Sequence, residues 1–315
     1  MSEVTNPNCI DAVAMNSPSI AAPIRWPAEA IWEAVASVLP SFTVEVLPEI
    51  DSTNTELMRR FRGGPGIASR PEPTLLVAEQ QTAGRGRLGR NWQSARGDSL
   101  TFSLGLPLQP SDWSGLSLVV GISLAESLDP VAGGDTRIGL KWPNDLWLCD
   151  SAGERKLAGI LVETASWENL RYVVIGVGLN IRAVSLAIPS VSGASGTSPE
   201  PLPAAGLQDL SRDLDAAAAL LQVLPPLVQA IQSFEQFGFA PFQSRFARRD
   251  VLSGRAVQLL DGKNVMQGTA HGVGEDGALL VHTSAGMKEI TSSEVSVRPL
   301  KGGQRAAAFP GKLAC

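Results

Sequence analysis

Apolar side chains first recur at a helical period at Ile31, Val35 and Leu39, and Pro27 just ahead of them suits a first helical turn. The run TVEVLPEI (43–50) predicts a short strand. Asp51-Ser52-Thr53-Asn54 then gathers residue types that cap helices, with Glu56 close behind, and predicts a second helix to about Arg62. TLLVAE (74–79) reads as a buried strand, and SLTFSLGLPL (99–108) alternates as a strand should. Residues 113–128 are mostly apolar over a helical length. Three strand-like stretches follow: RIGLKW (137–142) with NDLWLCD (144–150), KLAGILVETA (156–165) and LRYVVIGVGLNI (170–181). Helices are expected again at about 208–222 and 225–248. This mixture predicts an α+β fold in which a mixed sheet packs against helices.

After Arg249 the pattern changes to short β runs: RAVQLL, MQGTAHGV, ALLVHT, MKEIT and VSVRPL. Asp261-Gly262, Asp276-Gly277 and Ala285-Gly286 separate them, and Asp-Gly steps are strong hairpin signals. The expectation is a small C-terminal β-barrel-like domain over 249–300. The catalytic domain would span 25–248, with 1–24 and 301–315 as tails. Residues 183–206 are low in charge and rich in Pro, Ser, Gly and Ala, as in a flexible surface loop.

Composition narrows the function classes. Hydrophobic residues make up 44% and charged residues 18% of the chain, a globular balance. The net charge of −5 speaks against a broad nucleic-acid surface, which needs many Lys and Arg. Three scattered cysteines and two histidines, His271 and His282, indicate neither a disulfide framework nor a metal site. No uninterrupted apolar run approaches the roughly 20 residues of a membrane span, and the N-terminus lacks signal-peptide features. The protein is expected in the cytoplasm, with neither membrane nor DNA as a partner.

Four segments carry the chemistry. GRGRLGR (84–90) sets Arg85, Arg87 and Arg90 among glycines, with Trp92 just beyond. Glycines admit close backbone approach, and arginine forks match phosphate and carboxylate oxygens. The letters GxGxxG occur, but no helical stripe follows, so a dinucleotide fingerprint is discounted. In KWPNDLW (141–147), Lys141 and Asp145 flank a Pro143-Asn144 turn; on the motif alone, a plain hairpin turn with an exposed ion pair fits equally well. Lys156 sits just before the buried strand of KLAGILVE (156–163), where Gly159 leaves room for a ligand. VIGVGLNI (174–181) has glycines at 176 and 178, which weaken a strand unless something approaches its backbone closely.

In this order the segments, with the Ser52-Thr53-Asn54 triplet, resemble the biotin–protein ligase family, strongly over 27–182 and weakly over 245–300. The resemblance implies that biotin and ATP are substrates, that Mg²⁺ travels with ATP, and that the acceptor is the biotin carboxyl carrier domain of a carboxylase. It implies biotin contacts from Ser52, Thr53, Asn54, Gln81, Arg85, Gly86, Arg87, Lys156 and Gly159. It implies ATP contacts from Arg90, Trp92, Asn144, Asn180 and Arg298. Arg87 and Lys156 would neutralise the reacting anions, and Asp145 would orient or deprotonate the acceptor lysine. Only about 26 residues precede the first expected helix, too few for the helix-turn-helix some family members carry, so a ligase without DNA binding is expected, as monomer or homodimer. A lipoate or octanoate ligase of related fold, and a nucleic-acid binder using the arginine-rich loop, are the alternatives.

Overall fold

The structure is a computed structural model and describes residues 23–62, 71–130, 136–167, 169–183, 204–261, 264–291 and 295–300. Most of both expected tails and most of the 183–206 loop lie outside these residues.

Helix α1 (Ala28–Ala36) buries Ile31 and Val35, the two periodic positions that fall inside it. Strand β1 (Thr43–Leu47) leads into α2 (Thr53–Phe61), whose first turn is capped by the Ser52 hydroxyl accepting from the Thr55 N–H. Strands β2 (Thr74–Ala78) and β3 (Ser99–Pro107) are buried almost throughout. Helix α3 (Leu116–Leu128) starts after Gly115, whose φ of 80° breaks the chain's direction. Then come β4 (Ile138–Lys141), β5 (Asp145–Asp150), β6 (Gly153–Trp167) and β7 (Leu170–Asn180). The strands form one seven-stranded mixed sheet in the order β1-β2-β3-β7-β6-β5-β4, parallel only between β1 and β2.

Two local expectations need correction. The helices foreseen at 208–222 and 225–248 are instead one long helix, α4 (Ala216–Phe237), and a short α5 (Gln243–Ala247). Asp215 caps α4 through the Ala218 N–H at 2.8 Å, and Gly238, with φ of 68°, ends it. Pro225 and Pro226 do not interrupt it. Leu220, Val223, Leu224, Leu227, Val228 and Ile231 are all buried across the prolines. Burying each such side chain is worth about 1.5–3 kcal/mol, which outweighs the roughly 3 kcal/mol a proline costs in a helix interior. By length and composition α4 could cross a membrane, yet here it packs against α1 and α3 as a core helix. The second correction concerns Lys156, which lies inside β6 rather than just before a strand. Trp147 pairs with Lys156 while Leu146 pairs with Ala158, so Leu157 is the extra residue of a bulge, a device that re-aims neighbouring side chains.

The C-terminal runs form β8 (Ala256–Asp261), β9 (Asn264–Val273), β10 (Leu279–Thr283), β11 (Gly286–Ile290) and β12 (Val295–Pro299). They make an antiparallel sheet ordered β11-β10-β9-β8-β12. Val257, Leu259, Val281 and Val297 of this sheet belong to the same apolar cluster as α3, α4 and the large sheet. Leu140 of β4 exchanges backbone hydrogen bonds with Arg249 and Val251, which ties the two sheets together at the crossing.

Candidate active site

A cleft of about 890 Å³, counted out to its open mouth, runs between α2, the glycine-rich loop, the 141–145 turn and strands β6 and β7, with β12 at its rim. Ser52, Thr53, Asn54, Gln81, Arg85, Gly86, Arg87, Arg90, Trp92, Asn144, Asp145, Lys156 and Gly159 all line it. Asn180 and Arg298 do not. Asn180 stands behind Lys156 and donates to its carbonyl at 3.4 Å. Arg298 pairs with Gln258 in the small sheet, and β12 lines the cleft through Val295, Ser296 and Val297 instead.

One end of the cleft is lined by neutral polar groups, tightly cross-bonded, with the Glu163–Arg85 ion pair at its edge. Gln81 accepts from the Thr53 N–H at 2.8 Å, which leaves its amide NH₂ to donate. The Thr53 hydroxyl lies 2.7 Å from Ser103 Oγ. Asn54 Oδ1 accepts from Ser103 Oγ at 2.6 Å, and Asn54 Nδ2 donates to the Leu161 carbonyl at 3.2 Å and to Glu163 Oε2 at 3.0 Å. Both ends of the Asn54 amide are therefore engaged by protein groups. The glycines of β7 are explained here: a Cβ on Gly176 would overlap Asn54, and one on Gly178 would overlap the Trp92 indole. Gly159, paired with Gly178, has Trp92 and the Lys156 ammonium beside it. What approaches these backbones is the wall of the cleft itself. The Trp92 Nε1 is buried and has no acceptor among the described residues.

The other end is charged. Lys156 Nζ lies 2.7 Å from Asp145 Oδ1, and Lys141 Nζ lies 3.6 Å from Asp145 Oδ2. The Lys141 and Asp145 side chains are only 10% and 14% exposed, so the solvated hairpin turn that the motif allowed is not what forms. Burial pushes the Lys141 ammonium below its usual pKa, partly opposed by Asp145. Burial alone would raise the Asp145 carboxyl, but Lys156 and Lys141 together outweigh it and hold the carboxyl below its ordinary range. A depressed carboxylate is a poorer base, so the geometry favours Asp145 as a fixed anion that orients ammonium groups.

The loop closes over this end as a small hairpin. Trp92 N–H donates to the Gly84 carbonyl at 2.8 Å, and Gly86 N–H to the Arg90 carbonyl at 2.7 Å. At its tip Leu88 has φ of 57° and is half exposed, an unfavourable backbone for a leucine. Arg87 donates to Asn144 Oδ1 at 3.3 Å, and Asn144 is itself fixed by donating to the Ile160 carbonyl at 2.7 Å. Burial lowers the Arg87 guanidinium's pKa, opposed by Asp145 and reinforced by Arg90; arginine nevertheless stays cationic. Arg90 reaches Ser296 Oγ of the small sheet at 3.2 Å.

Sequence reasoning named Lys141 beside Asp145 without giving it a role, and missed Ser103, Glu163 and Ser296 as members of this neighbourhood. Lys141 and Glu163 were visible inside the singled-out motifs. Ser103 and Ser296 carry no local signal, since only strand pairing brings them here.

Comparison with known proteins follows the same outline. Residues 46–180 match the biotin/lipoate A/B protein ligase family, and residues 252–298 match a biotin protein ligase C-terminal domain. The bifunctional ligase/repressor BirA of Escherichia coli is 37% identical over 261 residues, 81% of this chain and 74% of that protein. A biotin–[acetyl-CoA-carboxylase] ligase of Paracoccus denitrificans is 29% identical, covering 79% of this chain and 98% of its own length. Among solved structures, a biotin protein ligase from Aquifex aeolicus in complex with biotin and ATP has a TM-score of 0.62 and 30% identity, over 82% of this chain and 99% of that one.

Proposed function

The chain belongs to the biotin/lipoate A/B protein ligase family, and from that membership we propose how its cleft performs the family's reaction. The protein is an ATP-dependent biotin–protein ligase, which activates biotin to biotinyl-5'-adenylate and passes it to a lysine amine of a biotin carboxyl carrier domain. The observation that carries the residue assignment is the division of one cleft into a neutral end and a cationic end.

The neutral end suits a ureido ring, which both donates and accepts. Ser52, Thr53 and Gln81 supply the groups that face it, and Asn54 braces them through Ser103. The cationic end receives the carboxylate and the α-phosphate. Arg87 and Lys156 screen the repulsion between these two anions, which otherwise forms much of the barrier. A carboxylate oxygen bonds to the α-phosphorus, the bond to the β-phosphate's bridging oxygen breaks, and pyrophosphate leaves. The carboxylate is already a nucleophile near neutral pH, so no base is needed. Trp92, with its free indole N–H, forms the wall beside the adenine, and Arg90 holds phosphate. Among the described residues no three His, Cys, Asp or Glu side chains gather to hold a metal ion. Mg²⁺ would travel with ATP as part of the substrate, held by phosphates and water.

In the second step the acceptor amine attacks the carbonyl carbon, the bond to the AMP oxygen breaks, AMP leaves, and the amine's proton passes to water. Asp145 attracts and aligns the incoming ammonium, and the cations beside it make proton loss easier. The test is incubation with ATP, Mg²⁺ and biotin, followed by mass spectrometry. Biotinyl-adenylate is the expected product, and its absence would overturn the assignment.

A further inference from the structure

Glu163 closes the KLAGILVE segment and has no task in the chemistry above, yet its carboxylate stands between two parts of the site. On one side Oε2 accepts from Asn54 Nδ2 at 3.0 Å. On the other Oε1 accepts from Arg85 at 2.6 Å, while the second NH₂ of Arg85 donates to Thr55 Oγ1 at 3.2 Å. Asn54 cannot give way: Ser103 and the Leu161 carbonyl hold its amide, and it fills the space that Gly176 leaves. The inner oxygen of Glu163 is therefore pinned, and the outer oxygen is presented at a fixed place above β6.

Arg85 is a stem residue of the loop hairpin, bridged to Asn91 across from it. The tip, Arg87–Gly89, projects from that stem, and Arg87 meets Asn144 there. Where the stem is tethered decides where the tip falls. Glu163 and Arg85 are only partly buried, with side chains 20% and 46% exposed, so the tether can be made and released.

We propose that Glu163 is a positioning residue: it ties the glycine-rich loop to the biotin-pocket helix α2, and through Arg85 it sets the placement of Arg87 over the activated intermediate. The proposal rests on the functional reading above. It adds that the loop is held shut by an ion pair anchored on the biotin pocket, and not only by its ligands.

The experiment uses the full chain as wild type, Glu163→Gln, Glu163→Asp, Arg85→Gln and the Glu163→Gln/Arg85→Gln double variant. Two rates are read: release of preformed biotinyl-adenylate, and tryptic cleavage after Arg87 and Arg90, sites that every variant keeps, in the free protein. An ion pair this exposed should shift both about two- to fivefold in Glu163→Gln, with the effect larger on release than on adenylate formation. Arg85→Gln should match it, the double variant should add nothing, and Glu163→Asp should recover part of the loss. Raising salt from about 0.05 to about 0.5 M should speed wild-type release by a larger factor than Glu163→Gln release, because both proteins keep the cationic contacts to the phosphate and only the wild type also loses the tether. Wild-type rates in Glu163→Gln, or additive effects in the double variant, would overturn the tether. A wild type that formed no adenylate would instead sink the functional reading, and the cleavage rates of the free proteins would still decide whether the tether exists.

Discussion

Replacement of Asp145 by Asn would leave two lysines facing one another across a neutral amide. Lys141 is the one that suffers. Its side chain is 10% exposed and has the Trp147 ring 5.5 Å away, so water cannot replace the lost anion. Lys156 is 35% exposed and can rehydrate, so it contributes little to the loss. Removing one partner of a buried pair costs about 3–5 kcal/mol. The 3.6 Å separation from Asp145 is loose for an ion pair, which puts the expected loss at or just below the bottom of that range, about 2–3 kcal/mol near pH 7.

That loss should depend on pH in a stated direction. Burial already places the folded pKa of Lys141 below its unfolded value. Between those two values the unfolded chain binds more protons, so stability rises with pH. Asp145 opposes the lowering, and its removal extends this window down towards neutrality. The variant can then shed the Lys141 proton as pH rises, and its deficit should shrink. On the acid side the wild type carries a limb the variant lacks. Its Asp145 carboxyl is held below the usual range, so that stabilisation is present above the unfolded pKa and disappears as pH falls through the folded one. Urea unfolding of both proteins at about pH 6, 7.5 and 9 measures the difference. A deficit that is equal at pH 6 and pH 9, or absent at both, would refute the electrostatic account.

Lys156→Ala should slow adenylate formation on the order of 10²–10³-fold, as read by ATP–pyrophosphate exchange, and should also lower the urea midpoint, because Asp145 loses its 2.7 Å partner; unchanged exchange would remove Lys156 from the mechanism. Gly178→Ala sets a methyl into the Trp92 indole, so thermal stabilisation by ATP should fall while stabilisation by biotin persists, and equal loss of both would show a general repacking instead. Arg87→Gly should leak: losing a charge-assisted hydrogen bond of roughly 1.5–3 kcal/mol weakens the grip on the adenylate about 10- to 150-fold. The released adenylate should then label serum albumin, and unlabelled albumin despite adenylate synthesis would count against that role.

The periodic parts of the fold were legible because each element's apolar pattern matches its burial. Ile31 and Val35 on α1 and the buried run of β2 are examples. Helix α4 was not, because local rules treat Pro225-Pro226 as a boundary while the buried seam crosses them. Within the site, the cationic groups announced themselves through residue type, since Arg and Lys among glycines have few structural uses. The braces did not. Ser103 is one more small residue on an alternating strand until β2, β3 and α2 are stacked, and only then does its hydroxyl meet Thr53 and Asn54. Gly176 and Gly178 told that something comes close but not what. The strand's glycines make room for Asn54 and Trp92, which then shape the space for ligands.

The charge balance of the cleft bears on why a tethered loop is needed at all. Among the described residues, Arg85, Arg87, Arg90, Lys141 and Lys156 line it against the carboxylate of Asp145, and Glu163, just outside the lining, offsets Arg85. Such an excess favours whichever ligand carries the most negative charge. Before reaction that is ATP together with the biotin carboxylate, so the field gathers both substrates. After reaction it is pyrophosphate, whereas the adenylate has lost the carboxylate charge and keeps one on its phosphate. The field therefore holds the intermediate less firmly than it held the substrates, although the intermediate must outlast pyrophosphate. Retention has to come from directional contacts that do not depend on net charge: the neutral bonds around Thr53 and Gln81, the indole wall of Trp92, and an arginine held in place above the anhydride. A loop fixed by Glu163 through Arg85 supplies the last of these at modest strength. That strength allows the loop to open when an acceptor lysine approaches Asp145.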